Sequence, residues 1–246
     1  MQKKVLPMER VMEMVRPDTA SRFPFENALK SKDIAFICEI KKASPSKGVI
    51  AEDFPYLDIA KDYEAAGAAA ISVLTEPFWF KGHDSYLREI ADTVKTPLLR
   101  KDFTIDSYMI YEAKLLGASA VLLICSVLDR DTLAEYIAIS HSLGLSALVE
   151  AHDEDEIETA LSAGARIIGV NNRNLKTFDV DITLSERLRK LVPPDVLFVS
   201  ESGISSPADI EMLRGIGADA VLIGESIMKS VDKKTEINRL RGTSST

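Results

Sequence analysis

Two cysteines and three histidines are all that this 246-residue chain offers toward disulfides or metal sites. Cys38 and Cys125 both stand inside apolar runs. They read as small buried hydrophobes, and a disulfide framework is excluded as an organising feature. A reducing cytoplasm is the natural home of such a chain. His83, His141 and His152 fall in different stretches without ligand spacing, so no metal is expected, and the first two read as surface residues. No apolar run approaches the roughly 20 residues of a membrane span. The start, Met1-Gln2-Lys3-Lys4-Val5, leads into charged residues and lacks the apolar core of a signal peptide. Cationic excess is missing too. A net charge of −8 argues against nucleic acid or an anionic membrane surface as a partner. An anionic substrate would therefore need a locally positive site.

What is present is a repeat. Eight short runs rich in Ile, Val, Leu and Ala alternate with longer, charged, amphipathic segments: Ile34–Ile40, Ala69–Leu74, Pro97–Arg100, Ala120–Cys125, Leu145–Glu150, Arg166–Val170, Val196–Ser200 and Ala220–Ile223. Near-continuous apolar runs of this length indicate parallel strands covered on both faces. The junction before a strand also recurs, as Ala66-Gly67-Ala68, Leu116-Gly117-Ala118, Ala163-Gly164-Ala165 and Ile216-Gly217-Ala218, with Leu143-Gly144 a looser copy. Glycine there supplies the left-handed residue that ends a helix. Eight units favour a closed (β/α)8 TIM barrel over an open doubly wound sheet, and the length is near the roughly 250 residues such a barrel needs. The glycine-rich dinucleotide fingerprint is absent after the first run. Helix starts are expected at Asp106 and at Ser205-Ser206-Pro207.

Residues 1–33, with Pro7, Pro17 and Pro24, read as an N-terminal extension: one short helix and a segment covering the barrel's bottom or mouth. Residues 34–241 form the barrel and 242–246 a polar tail, the chain fraying from about Arg241. No second domain is expected.

Active sites of such barrels sit where strands end and βα loops begin. The polar residues there are Glu39 and Lys41, Lys101 and Asp102, Glu150 and His152, Asn171 and Arg173, Glu201 and Ser202, and Gly224. Residues two apart on a strand share a face, so Glu39 pairs with Lys41, Glu150 with His152 and Asn171 with Arg173. Each charge alone is most simply a solvated loop residue. Falling at one end of six strands, they read as a set facing a common cavity. Burying so many charges requires pairing, with Lys41–Glu39 and Lys101 beside a carboxylate as the expected ion pairs. Ser202-Gly203 after the seventh run and Gly224-Glu225 after the eighth suit the backbone phosphate cradle common to these barrels.

Several motifs resemble the indole-3-glycerol phosphate synthase family. They are Cys38-Glu39-Ile40-Lys41-Lys42-Ala43-Ser44-Pro45-Ser46-Lys47-Gly48, Leu74-Thr75-Glu76, Leu99-Arg100-Lys101-Asp102-Phe103, Val149-Glu150-Ala151-His152, Gly169-Val170-Asn171-Asn172-Arg173-Asn174-Leu175 and Ser200-Glu201-Ser202-Gly203-Ile204. They occur in the family's order between about Phe23 and Met228. The resemblance implies cyclisation of 1-(2-carboxyphenylamino)-1-deoxyribulose 5-phosphate to indole-3-glycerol phosphate, with loss of CO2 and water, in tryptophan biosynthesis. It implies Lys101 as general acid, Lys41 as a positioning and second acid group, and Glu150 as partner in the dehydration. Glu39 would orient Lys41, and Asn171 would hold a substrate hydroxyl. Arg173 would fork onto the anthranilate carboxylate. Ser44, Glu201, Ser202, Gly203, Gly224 and Glu225 match substrate-binding positions, the glycines and Ser202 at the phosphate. Pro45, Phe80, Phe103, Leu122 and Leu175 match apolar positions around the aromatic ring. The chemistry needs no redox step, so no cofactor is implied, and other tryptophan-pathway enzymes are the implied partners.

Two other readings stay open on the residues. Another phosphosugar barrel, such as a phosphoribosyl anthranilate isomerase, would use a cysteine–aspartate pair. A barrel kept as a binding scaffold would be expected to lose Lys41, Lys101 or Glu150. The family usually has a longer helical N-terminal extension over the mouth, and 33 residues precede Ile34 here.

Overall fold

The computed structural model describes residues 6–15 and 23–242, so Pro17 and the tail from 243 lie outside it. Eight parallel strands close into a barrel: β1 (Ala35–Ile40), β2 (Ala70–Leu74), β3 (Leu98–Lys101), β4 (Ala120–Ile124), β5 (Ser146–Ala151), β6 (Ile167–Asn171), β7 (Leu197–Glu201) and β8 (Ala220–Ile223). Each lies within one residue of its apolar run. Neighbours in sequence are neighbours in space, and β8 returns to β1 with Ala35 opposite Ala220 and Cys38 opposite Ile223. The helices are α1 (Met8–Met14), α2 (Pro24–Leu29), α3 (Tyr56–Ala65), α4 (Asp84–Ala91), α5 (Ser107–Leu115), α6 (Arg130–Ser142), α7 (Glu154–Ser162), α8 (Thr183–Arg189), α9 (Pro207–Gly215), α10 (Glu225–Lys229) and α11 (Lys233–Arg241).

Alternation along each strand makes two cores. Phe36, Cys38, Ile71, Val121, Val149, Ile168, Phe198 and Val221 point outward against the helices. Ala35, Ile37, Ala70, Leu99, Ala120, Leu122, Leu148, Ile167, Val199, Ala220 and Leu222 fill the interior, where Phe25 and Leu29 of α2 join them. That settles which end the extension covers. The amide of Glu26 donates to Ser146 Oγ at the start of β5, so α2 plugs the bottom, and the described residues of the extension hold two short helices where one was expected.

Local signals position these elements. Asp106 accepts from the amide of Tyr108 at the start of α5. Ser206 and Asp209 cap each other's amides at α9, with Pro207 in the first turn. The four junction glycines all have φ between 72° and 89°, the left-handed step that lets a helix stop and the chain turn into the next strand. Two expectations need correction. Arg241 does not fray: it ends α11, donates to the carbonyls of Ala66 and Gly67 at 2.7 and 2.6 Å, and lies over Phe36. Cys125 is half-buried, its thiol 3.5 Å from the carbonyl of Glu156, because β4 ends one residue before it.

Candidate active site

The alternation that buries Ile37, Leu99, Leu148, Ile167 and Val199 carries on to the upper ends of the same strands. Two residues further along each inward face stand Glu39, Lys101, Glu150, Gly169 and then Asn171, and Glu201. All of these but Gly169 line a cavity of about 730 Å3 that opens at the C-terminal end of the barrel. Every residue that the resemblance implies for the site borders it: Lys41, Ser44, Pro45, Phe80, Phe103, Leu122, Arg173, Leu175, Ser202, Gly203, Gly224 and Glu225 besides those on the strands; His152, expected to face the same cavity, does not.

Two lysine clusters occupy its floor. Lys41 Nζ lies 2.5 Å from Glu39 Oε1, and a Cβ built on Gly224 would fall 3.2 Å from Lys41 Nζ and 2.5 Å from Glu39 Oε1. A side chain there would displace the Glu39 carboxylate. Lys101 Nζ bridges two carboxylates, 2.8 Å from Glu150 Oε2 and 3.1 Å from Glu201 Oε2. Burial alone would lower the Lys101 pKa, but Glu150, Glu201 and Glu39 outweigh it and hold the group well above its ordinary value, as ammonium. Burial would raise Glu150; the Lys101 charge and hydrogen bond, His152 and the Asn171 amide at 3.3 Å hold it below the usual range instead. Burial pushes Glu201 up to about 7, Lys101 notwithstanding. One ammonium serves two carboxylates, so one ionises readily and the other holds its proton near neutrality.

Glu201 therefore stands with the chemistry, although its sequence position groups it with the phosphate turn. The signal was available: it shares inward parity with Val199. Gly169 makes the space, since a Cβ there would overlap the Glu201 carboxylate. His152 Nε2 sits 3.5 Å from Glu150 Oε1 and its Nδ1 3.1 Å from Glu156 Oε2. Burial alone would lower the His152 pKa; the carboxylates of Glu156, Glu150 and Glu201 raise it. His141, expected at the surface, is half-buried beside Phe23 and Arg166, and burial drives its pKa down to about 4. His83 is exposed and accepts from the amide of Ser85 at the start of α4.

The mouth divides into two ends. After β7, Ser202 and Gly203 take consecutive left-handed conformations, φ 67° and 82°, a tight turn at the rim of the cavity. A Cβ on Gly203 would strike Val180. Asn172 holds this turn from outside the barrel, donating to Ser200 Oγ at 3.0 Å and to the Ser202 carbonyl at 3.1 Å while accepting from Ser185. Nothing in the sequence distinguished Asn172 from Asn171 beside it except parity. After β8, Glu225 has Lys229 at 2.6 Å, Lys47 at 3.8 Å and Arg173 at 3.9 Å. Three cations about one carboxylate give the local positive field that the net charge of −8 does not.

The other end, beyond β2 to β4, is apolar. Phe80 and Phe103 stand 6.4 Å apart above buried Leu122, and across the mouth Leu175 and Phe178 border the cavity. Trp79 borders it as well and had no expected role. Arg100 points outward from β3, opposite to Lys101, and is buried against Asp84 and Glu112, each at 2.8 Å. It also reaches Thr75 Oγ1 at 3.2 Å, which donates to Asp102 at 2.5 Å; Asp102 accepts from the Phe103 amide. That network fixes the turn between Lys101 and Phe103.

The sequence model of the family described as indole-3-glycerol phosphate synthase matches residues 2–240. The chain belongs to the indole-3-glycerol phosphate synthase family. Such a synthase from Ruminiclostridium cellulolyticum is 66% identical over 223 residues, 91% of this chain and 86% of its own. One from Endomicrobium trichonymphae is 58% identical over 217 residues, 88% of this chain and 84% of its own. Membership of the synthase family makes the chain a carboxy-lyase of tryptophan biosynthesis. Solved structures match more distantly. The 3-hexulose-6-phosphate synthase of Salmonella typhimurium superposes with a TM-score of 0.70 at 16% identity, over 85% of this chain and 98% of that one. A mutant tryptophan synthase alpha-subunit of Pyrococcus furiosus does so with 0.66 at 16%, over 86% and 99%. These likenesses show the barrel alone. No helix among the described residues is long and apolar enough to cross a membrane.

Proposed function

We propose that the cavity cyclises 1-(2-carboxyphenylamino)-1-deoxyribulose 5-phosphate by lysine and glutamate acid–base catalysis. The phosphate lies over the Ser202–Gly203 turn and Gly224, within the field of Lys47 and Lys229. The carboxyphenyl ring lies against Phe80, Phe103, Leu122, Leu175 and Pro45, with Ser44 at the loop that carries Pro45. The carbonyl to be attacked then falls between them, over Lys101. As the ring carbon bearing the carboxylate bonds to that carbonyl carbon, Lys101 gives a proton to the oxygen that would otherwise become an alkoxide. An alkoxide is basic enough to take a proton even from a lysine held above its usual pKa. Loss of CO2 restores the aromatic ring. The new hydroxyl then leaves as water, protonated by Lys41 or Lys101, while Glu150 takes the proton whose removal completes the indole. Asn171, on Glu150, holds a substrate hydroxyl, and Arg173 offers a fork to the anthranilate carboxylate. Glu39 aims Lys41, and Glu201, with Glu150, keeps Lys101 charged.

The observation that supports this most is Lys101 Nζ, bonded to both Glu150 and Glu201 at the floor of a cavity with one apolar and one cationic end. It suits a substrate with an aromatic ring at one end and a phosphate at the other. The test is to supply the carboxyphenylamino deoxyribulose phosphate to purified protein and follow indole fluorescence. A rising signal is expected, and none at high enzyme concentration would refute the reading. Unpaired cysteines suit a cytoplasmic setting, and the enzymes that form its substrate and use its product are the partners this reading implies.

A further inference from the structure

The loop from Thr75 to His83, between β2 and α4, is built around one carboxylate. Glu76 is buried, and its oxygens accept from three consecutive amides: Phe78 at 2.9 Å, Trp79 at 2.6 Å and Phe80 at 3.0 Å. Its own carbonyl accepts from the amide of Gly82 at 2.8 Å. Lys81 takes a left-handed conformation, φ 52°, and a Cβ on Gly82 would collide with the backbone of Leu74 and Thr75. The returning chain therefore lies flat on the end of β2. Both ends are pinned, and the middle is wound onto an anion by charge-assisted bonds.

Such a bracket could serve only to close a turn, but its product argues otherwise. It leaves Phe78 84% and Trp79 65% exposed, and holding large aromatic rings in water stabilises nothing by burial. Trp79 and Phe80 border the cavity, beside Phe103 and across the mouth from the Ser202–Gly203 turn. We propose that Glu76 is a positioning residue that presents the Trp79 indole as a wall for the aromatic ring of the substrate. Trp79 then discriminates for that ring, gaining on substrate binding the burial it lacks beforehand. This rests on the reading that a carboxyphenyl ring occupies the apolar end.

Trp79 is the only tryptophan in the chain, so its emission reports on the wall directly. The probe is the substrate reduced at its carbonyl to an alcohol, which keeps ring and phosphate but cannot cyclise. Titrated into wild-type protein, it should change Trp79 emission saturably. Glu76→Gln puts an amide donor where one acceptor oxygen was. It should weaken probe binding and raise KM about three- to tenfold, the worth of an aromatic contact, with kcat altered less than threefold. Glu76→Asp should recover part of the loss. Trp79→Leu should raise KM by a similar factor. Inhibition by inorganic phosphate should stay within about twofold in all three, because the turn after β7 is untouched; a general loss of fold would move it.

The proposal is overturned if Glu76→Gln keeps wild-type KM and emission change, or if Trp79→Leu keeps wild-type KM. Turnover by wild type with no emission change on binding the probe also overturns it, while leaving the reaction intact. A saturable emission change lost in Glu76→Gln, in a protein that makes no indole, would uphold the wall and refute the reaction instead.

Discussion

The two ends of the barrel are made by the same strands and obey opposite rules. On β1 the inward residues run Ala35, Ile37, Glu39; on β7 they run Leu197, Val199, Glu201. At the bottom the series begins with apolar side chains, and Phe25 and Leu29 of α2 complete the seal with no exposed surface. At the top the series ends in carboxylates and lysines, nearly as buried but charged. The difference teaches where folding free energy and chemistry are kept. The lower layers gain stability by removing apolar area from water. The upper layer contributes little that apolar residues of the same shape would not match, since burying a paired charge roughly breaks even at best. Its charges make sense only toward a substrate. Changes at the top should therefore act mainly on turnover, and changes at the bottom mainly on stability.

The largest effect is expected from Lys101→Ala. It removes the acid and should lower kcat about 10³-fold or more, while phosphate binding at the turn after β7 stays near wild type. If most of kcat survives, the assignment of the acid is wrong. It also leaves Glu150 and Glu201 facing each other without an ammonium. One of them then holds its proton to a higher pH than in the unfolded chain, so stability should recover as pH falls from 7 toward 5. Thermal melts at the two pH values check this.

Phe25→Ala is the counterpart at the bottom. Emptying a fully buried aromatic site should cost about 3–5 kcal/mol of stability, read from denaturant unfolding, while kcat of the folded fraction changes less than about twofold. A large fall in kcat at unchanged stability would mean that the ends are not separable. Gly169→Ala tests the boundary between them. Its methyl group would meet the Glu201 carboxylate, displacing it from Lys101. We expect kcat to fall about tenfold, the worth of roughly 1.4 kcal/mol, with a smaller loss of stability than Phe25→Ala.

The same contrast explains what the sequence discloses. Apolar runs mark the strands to within a residue because both faces of their lower parts are buried, and three of the runs stop where an inward position turns polar. Lys101, Asn171 and Glu201 each close a strand just past its apolar run. Their convergence was legible from parity and topology alone. The resemblance places Glu201 beside Ser202 among the substrate-binding positions, although the two point different ways. What α2 does was not legible, because Pro24, Phe25 and Leu29 suit a plug at either end of a barrel. Nor were the partners of Arg100: an arginine within a strand gives no sign that Asp84 and Glu112, from two different helices, will enclose it. Glu76 beside three aromatic residues reads as an ordinary loop until backbone amides are counted.

The smallest expected effect separates the ends by pH. At the bottom, His141 has a pKa pushed down to about 4 by burial and then by Arg166. Between pH 6.5 and about 4 the unfolded chain binds a proton there that the folded chain refuses, so stability present above pH 6.5 is lost as pH falls. The shift would be worth over 3 kcal/mol for a fully buried group; half-buried, about 1 kcal/mol is expected. At the top, Glu201 is raised from 4.5 to about 7, and the sign reverses. The folded chain holds a proton that the unfolded chain releases, so this group adds stability as pH falls from 7 to 4.5. His141→Gln should therefore make the protein relatively more stable than wild type at pH 5 than at pH 7.5. Glu201→Gln should be relatively more stabilising at pH 7.5, where the carboxylate it replaces must ionise in a buried site. Melting curves of the three proteins at both pH values decide the matter. If the two variants shift with pH in the same direction, the opposed electrostatics of bottom and mouth are refuted.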